Sequence, residues 1–123
     1  MEDWSESAAQ PYLWLTTVGR RTGLERTVEL WFGLAGRTVY LLAGGGERAG
    51  WVGNALAHPG VQVRLGGRTF RGVARAPDAQ SAEAARARRL LAAKYQGWRA
   101  GRPLSRWAAE SFCLAVDLTA RAA

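Results

Sequence analysis

The chain is poor in the residues on which chemistry at neutral pH most often depends. Among 123 residues there is one cysteine, Cys113, one histidine, His58, and one lysine, Lys94. A single cysteine cannot close an internal disulfide, and with one histidine it falls short of the three or four soft ligands that hold zinc. A disulfide scaffold and a structural zinc site are excluded on that count. No apolar run approaches the roughly 20 residues that span a bilayer. Met1 to Gln10 carry Glu2, Asp3 and Glu6 and lack the basic stretch that opens a secretory signal. These absences point to a cytoplasmic protein with no transmembrane segment.

What is present is ordinary in amount and unusual in kind. Hydrophobic residues make up 48% and charged residues 22%, as in a globular chain that folds unaided. The length suits one domain, residues 1–123, with 1–11 a short acidic N-terminal segment and 119–123 a tail. The net charge is +7, and sixteen of the seventeen basic residues are arginine. Fifteen of those sixteen lie between Gly19 and Arg106, so the excess belongs to the body of the chain. Arginine presents a rigid fork of donors that suits a phosphate or carboxylate held in one pose.

Periodicity supplies the elements. Tyr12 to Val18 reads as a strand running into the glycine-bounded turn Gly19-Arg20-Arg21-Thr22-Gly23. Arg26 to Leu34 alternates Thr27, Glu29 and Trp31 with Val28, Leu30 and Phe32, and Arg37 to Ala43 follows a short turn, so these two are expected to pair as a hairpin. After Gly44-Gly45-Gly46, Arg48 to Ala57 reads as a helix stopped by Pro59. Val61 to Leu65 and Phe70 to Arg75 form a hairpin about Gly66-Gly67, one face apolar and the other Arg-studded. Ser81 to Trp98 is helical, with Ala84, Ala87, Leu91, Tyr95 and Trp98 on one side. Phe112 to Leu118 reads as a last strand. Adjacent hairpins in place of alternating βαβ units predict an α+β, mostly β fold: a small antiparallel barrel with flanking helices.

Three features could carry function. The turn from Gly19 to Gly23, with Arg26, offers backbone N–H groups and arginine forks as a cradle for an anion, though a solvated hairpin turn has the same composition. Gly44-Gly45-Gly46, ahead of Trp51 and Asn54, would let a flat ring or a phosphate lie against the backbone. Six tryptophans are dispersed over different elements, where packing is their default role and lining a flat pocket a second one. His58 reads as a helix-ending residue and Cys113 as a buried small hydrophobe. With so few candidate acids, bases and nucleophiles, an enzyme built on this chain would take its chemistry from a cofactor.

The segments LTTVGRRTGLERTVELWF (Leu15 to Phe32), VYLLAGGGERAGWVGNALAHPGVQVRLGGRTF (Val39 to Phe70) and RRLLAAKYQGW (Arg88 to Trp98) resemble, in order and spacing, the deazaflavin (F420)-dependent nitroreductase family. These are split β-barrel proteins of the FMN-binding-like superfamily. The resemblance implies hydride transfer from reduced coenzyme F420 to an electron-poor small molecule such as a quinone or nitro compound. It implies that Arg20, Arg21, Thr22 and Arg26 hold the anionic cofactor tail. The backbone of Thr27, Val28, Glu29, Leu30 and Trp31 would border the ring, with Leu42, Ala43, Gly44, Gly45, Gly46, Gly50, Trp51, Val52, Gly53 and Asn54 on the other side. Tyr95 would be a proton donor or substrate contact, or else a tyrosine on the buried side of its helix, and Trp98 a substrate contact beside it. Gly44-Gly45 stands where a nitroreductase of the family has Ser-Lys, and Tyr95 stands alone where that protein has several tyrosines.

FMN or haem could take the place of F420, because a split barrel does not fix what it binds. The same composition would also serve a non-catalytic ligand carrier or a nucleic-acid-binding module. Nucleic-acid binding is disfavoured because the aromatics do not alternate with arginine along one strand as a base-stacking platform requires. Nucleic acid is therefore not an expected partner, and a homodimer is left open.

Overall fold

Alternation decides which side of each strand is buried. In the segment Gly60–Leu65, Val61, Val63 and Leu65 are buried while Gln62 and Arg64 face solvent, and Arg68–Arg75 repeats the pattern with Phe70, Gly72 and Ala74 inward. The computed structural model, which describes residues 4–121, assembles seven such strands into one antiparallel sheet. They are β1 (Leu13–Val18), β2 (Glu25–Leu30), β3 (Gly33–Ala35), β4 (Thr38–Ala43), β5 (Gly60–Leu65), β6 (Arg68–Arg75) and β7 (Phe112–Arg121). Four helices accompany them: α1 (Ser5–Ala8), α2 (Gly50–Ala57), α3 (Ala82–Gln96) and α4 (Arg106–Glu110). None of the described helices is long and apolar enough to cross a membrane.

The spatial order is β2-β1-β5-β6-β7-β4-β3, so the two edges of the sheet are β2 and β3. Those edges are consecutive in the chain, joined only by Trp31 and Phe32. Three residue steps reach at most about 11 Å, whereas seven strands laid flat would span about 29 Å. The sheet therefore curls until its edges meet at Leu30 and Gly33, which makes the half-barrel that the alternating hairpins predict. Inside it Leu13, Leu15, Phe32, Val63, Phe70 and Leu114 are almost completely buried, each contributing about 1.5–3 kcal/mol by leaving water. Outside it α3 covers β4 and β7 through Ala87 and Leu91 against Tyr40, Leu42, Cys113 and Ala115. Cys113 is 4% exposed, and burial pushes its thiol up to about 11.

Several boundaries differ from the sequence reading. The expected strand Arg26 to Leu34 is broken in two: Leu30 pairs with Leu13 of β1, and Gly33 pairs with Tyr40 of β4. Between them the Phe32 N–H donates to the Tyr95 hydroxyl instead of a strand partner. Only the second half of that segment forms the expected hairpin with β4. The helix expected from Arg48 is a 3₁₀ turn over Gly46–Arg48 followed by α2. The helix expected from Ser81 to Trp98 is α3, with Ser81 as its cap, accepting from the Ala84 N–H. Residues 119–121, read as tail, continue β7, and the Thr119 hydroxyl donates to the Arg71 carbonyl; residues 122–123 and 1–3 lie outside the described residues. The helices α1 and α4 are too short for an apolar period to reveal.

One polar network locks the α3-covered side. Arg75 forms a bidentate pair with Glu83 (2.7 and 2.6 Å) and reaches Asp117 through Nε (2.7 Å). Tyr40 donates to Glu83 and Thr38 donates to Asp117, so β4, β6, β7 and α3 meet at one guanidinium. The bonds from Arg75 and then Tyr40 hold the Glu83 carboxyl down at about 2, against 4.5 ordinarily. A depressed carboxyl contributes stability that is full above its unfolded value and is lost as the pH falls through its folded one. Chemical denaturation at a series of pH values should show the wild type losing about 1–2 kcal/mol between pH 4.5 and 2 that Glu83→Gln does not lose, the partial exposure of the pair screening the rest.

Candidate functional site

The split in the barrel is where the sheet leaves backbone exposed. Among the described residues β2 pairs on one side only, with β1. Strand β3 is three residues long, so its pairing with β4 ends at Tyr40, while Leu41, Leu42 and Ala43 pair with β7 alone. Antiparallel direction sets Leu41 to Gly44 back alongside the end of β2. Two strand edges thus border one slot, each carrying N–H and C=O groups aimed across it. Trp107 stands between the two edges at the seam: its ring meets Trp31 edge-on at 5.6 Å, and a Cβ on Gly44 would stand 3.6 Å from the same indole.

At the open end the Gly19 to Gly23 turn is tied down from both directions. Gly19 N–H donates to the Leu24 carbonyl at 2.7 Å and Gly23 N–H to the Gly19 carbonyl at 2.8 Å. Arg20 then reaches across to α2, where its backbone N–H and Nη1 both donate to Asn54 Oδ1, at 3.1 and 2.8 Å, and Nη1 also meets the Gly50 carbonyl. Asn54 is itself held by the buried Thr17 hydroxyl. The guanidinium lies so close to α2 that a Cβ on Gly53 would stand 2.9 Å from Arg20 Cζ, and a larger residue there would displace the arginine. Around this anchor Gly19, Arg20, Arg21, Thr22, Arg26 and Asn54 line a cavity of about 240 Å³. Three arginines and a hydroxyl around one opening, beside a helix N-terminus that has no side-chain cap, form an anion-binding constellation.

At the closed end Trp31 lies flat on Tyr95, with centroids 4.3 Å apart and planes 1° from parallel. The Tyr95 hydroxyl accepts from the Phe32 N–H (3.1 Å) and donates to the Pro11 carbonyl (2.9 Å). Burial raises its phenol above the ordinary value. Beyond Trp107, a cavity of about 390 Å³ is lined by Gly44, Arg106, Trp107, Glu110 and Ser111.

The structure therefore gathers Arg20, Arg21, Thr22, Arg26 and Asn54 at one end of the slot, and Trp31 and Gly44 at the other. Asn54 holds the turn in place. Val52 is fully buried, and Leu42 and Ala43 nearly so, so none of these three side chains is open to a ligand. Trp51 packs against the barrel core. Trp98 does not join Tyr95 at the slot: its indole N–H donates to the Arg102 carbonyl beside a separate cavity lined by residues 96–98 and 102–105. Trp107 is the wall that sequence reasoning passed over. Helix α4 carries it, capped by Ser105 and held to α3 by Arg88, which donates to the carbonyls of Ala108 and Ser111. The signal in the sequence was Ser105 after Pro103, a capping residue ahead of Trp107 and two alanines.

A curled antiparallel half-barrel, open along one seam with arginines at one end and aromatics at the other, is a split β-barrel. The family model of F420H(2)-dependent quinone reductases matches residues 5–104, and the chain belongs to that family. Coenzyme F420 is accordingly its cofactor, as the sequence led us to expect. Solved structures agree on the fold. An F420 reductase is 21% identical with a TM-score of 0.68, covering 99% of this chain and 98% of its own. An F420-H2 dependent reductase is 21% identical with a TM-score of 0.66, covering 87% and 94%. A heme binding protein from Mycobacterium smegmatis is 18% identical with a TM-score of 0.66, covering 94% of this chain and 51% of its own. No curated protein matches the chain.

The anchor at Asn54 is testable without ligand. Asn54→Ala takes the partner from the Arg20 backbone N–H and from the buried Thr17 hydroxyl and leaves Arg20 Nη1 only the Gly50 carbonyl, and urea unfolding should show a loss of about 1–3 kcal/mol. Arg20→Ala, which removes the mobile partner, should lose less.

Proposed function

We propose that this chain is a one-domain F420-dependent oxidoreductase that reduces a quinone or another conjugated, electron-poor small molecule, nitro compounds included. The observation that carries the reading is the slot, closed by an indole at one end and ending in three arginines at the other. Residues Arg26 to Trp31 of that edge extend about 16 Å, room for a flat ring and a tail to lie along one strand.

The residues present fit the cofactor chemically. Arg20, Arg21, Thr22 and Arg26 offer donors to phosphate and carboxylate oxygens, and Asn54 keeps Arg20 from swinging away. The backbone of 27–31 and 41–46 offers N–H and C=O groups to the polar edge of a ring, where side chains would only obstruct. When bound, reduced F420 supplies a hydride, two electrons and one nucleus, to the acceptor.

The chain's part is to hold and to orient. The slot fixes one face of the ring, which removes the orientational freedom that otherwise opposes transfer. The acceptor fits beside Trp107 and Gly44, where Trp31, 42% exposed, offers an indole surface. Arg106, whose side chain is 90% exposed at that cavity, keeps water within reach, and the proton that completes the reduction is taken from solvent. On this reading no side chain need be an acid or a base.

Titration with F420, following tryptophan fluorescence, should quench Trp31, whereas FMN and single-stranded oligonucleotide should leave the signal unchanged at matched concentrations. Arg20→Ala and Arg26→Ala should each weaken F420 binding by about tenfold or more, the scale of a lost charge-assisted bond, and should weaken a tail-less deazaflavin by less than about twofold. Equal losses for both ligands would remove the arginines from the tail site. No F420 response below high-micromolar concentration would sink the whole reading.

A further inference from the structure

Tyr95 is the tyrosine nearest the slot, and its hydroxyl is already engaged on both sides. As donor it serves the Pro11 carbonyl, and as acceptor it takes the Phe32 N–H. A proton held in a bond to a backbone carbonyl is not available for delivery, and burial, by raising the phenol, works in the same direction. The rest of the side chain is engaged as well, since its ring lies flat against Trp31. One residue of α3 thus grips the side chain of Trp31, the amide that follows it, and a carbonyl of the segment leading into β1.

The neighbouring residue repeats the pattern one step along. Lys94 places its ammonium 3.5 Å from the centroid of the Phe32 ring and donates to the Gln10 carbonyl at 2.7 Å. Two consecutive residues of α3 hold the two consecutive residues of the seam and two consecutive carbonyls of the N-terminal segment. Leu90, one turn earlier, packs so closely over Gly33 that a Cβ there would stand 2.6 Å from it. The helix is therefore seated on the seam at each step.

We infer that Tyr95 is a positioning residue: it fixes the Trp31 indole as the end wall of the slot, and it acts on bound ligand only through that indole. The inference rests on the function proposed above and adds the residue that sets the shape of its site. Removing the Tyr95 ring frees the Trp31 face that now lies against it, so the wall loses its fixed angle. Removing only the hydroxyl keeps the stack and loosens the seam amide.

A cycle of variants separates this role from a catalytic one. Affinity for a tail-less deazaflavin, read from the ligand's own fluorescence, should fall about fivefold or more in Tyr95→Leu, and about as far in Trp31→Ala. In Trp31→Ala/Tyr95→Leu the second change should add less than about twofold, because a residue that acts through another has nothing left to act on. Without any ligand, 5-fluorotryptophan labelling should show the Trp31 resonance, assigned by its loss in Trp31→Phe, moving toward the solvent-exposed position in Tyr95→Leu. Tyr95→Phe, which keeps the ring, should hold that resonance in place, keep kcat within about threefold and leave the pH profile of turnover unchanged. A general acid would instead cost about 100-fold or more in kcat with loss of one limb of the profile. That outcome, additive losses in the double variant, or an unmoved resonance would each overturn the assignment. If the wild type binds no deazaflavin, the function fails; if it binds and Trp31→Ala binds equally well, the function stands and the positioning role falls.

Discussion

Joining the two edges of a seven-stranded sheet with two residues is the constraint from which the rest follows. Strands hydrogen-bond outward from β1 in one direction and from β4 in the other, yet Leu30 and Gly33 must lie within a few residue lengths. The sheet can satisfy both only by curling. Curling brings β2 beside the end of β4, and the shortness of β3 keeps them from zipping together. The slot is what remains. Its closed end is wherever the seam is, so the residues that hold the seam also hold the end of the site. This explains why α3, which contributes no residue to the arginine cradle, still bears on the site's geometry.

Much of this was legible in the sequence. The hairpin about Gly66-Gly67 and the inward faces of Val61, Val63 and Phe70 follow from alternation, and the glycine-bounded turn that the sequence marks between its first two strands joins β1 to β2. The break at Trp31 and Phe32 was not legible. Apolar and polar residues keep the same alternation through it, since Trp31 still faces out and Phe32 in. What ends the strand is a hydroxyl 63 residues away, donated to by the Phe32 amide. The roles of Trp98 and Trp107 were obscure for a related reason: composition marks a tryptophan as buried or lining, and only the helix that carries it decides which wall it forms.

The arginine excess divides along the same lines. Read as charge, +7 suggested anionic partners in general. Read as geometry, the arginines have separate tasks: Arg20 bridges a turn to a helix, Arg75 gathers two carboxylates, Arg88 clasps two carbonyls, and Arg64 covers the Trp14 ring. Only Arg75 uses the whole fork, through Nε, Nη1 and Nη2. Arg21 and Arg26 line the cavity beside Arg20 with no carboxylate or carbonyl partner among the described hydrogen bonds and ion pairs.

The buried cysteine bears on the chemistry in another way. Conjugated acceptors such as quinones are alkylating agents as well as oxidants, and the protein group they attack most readily is a thiolate. The chain carries a single thiol, buried on the side of β7 that α3 covers. Burial pushes its pKa up to about 11, so the thiol stays protonated at neutral pH, and α3 covers it. On the proposed function, burial of its one thiol shields the scaffold from the thiol adducts that its own acceptors would otherwise form.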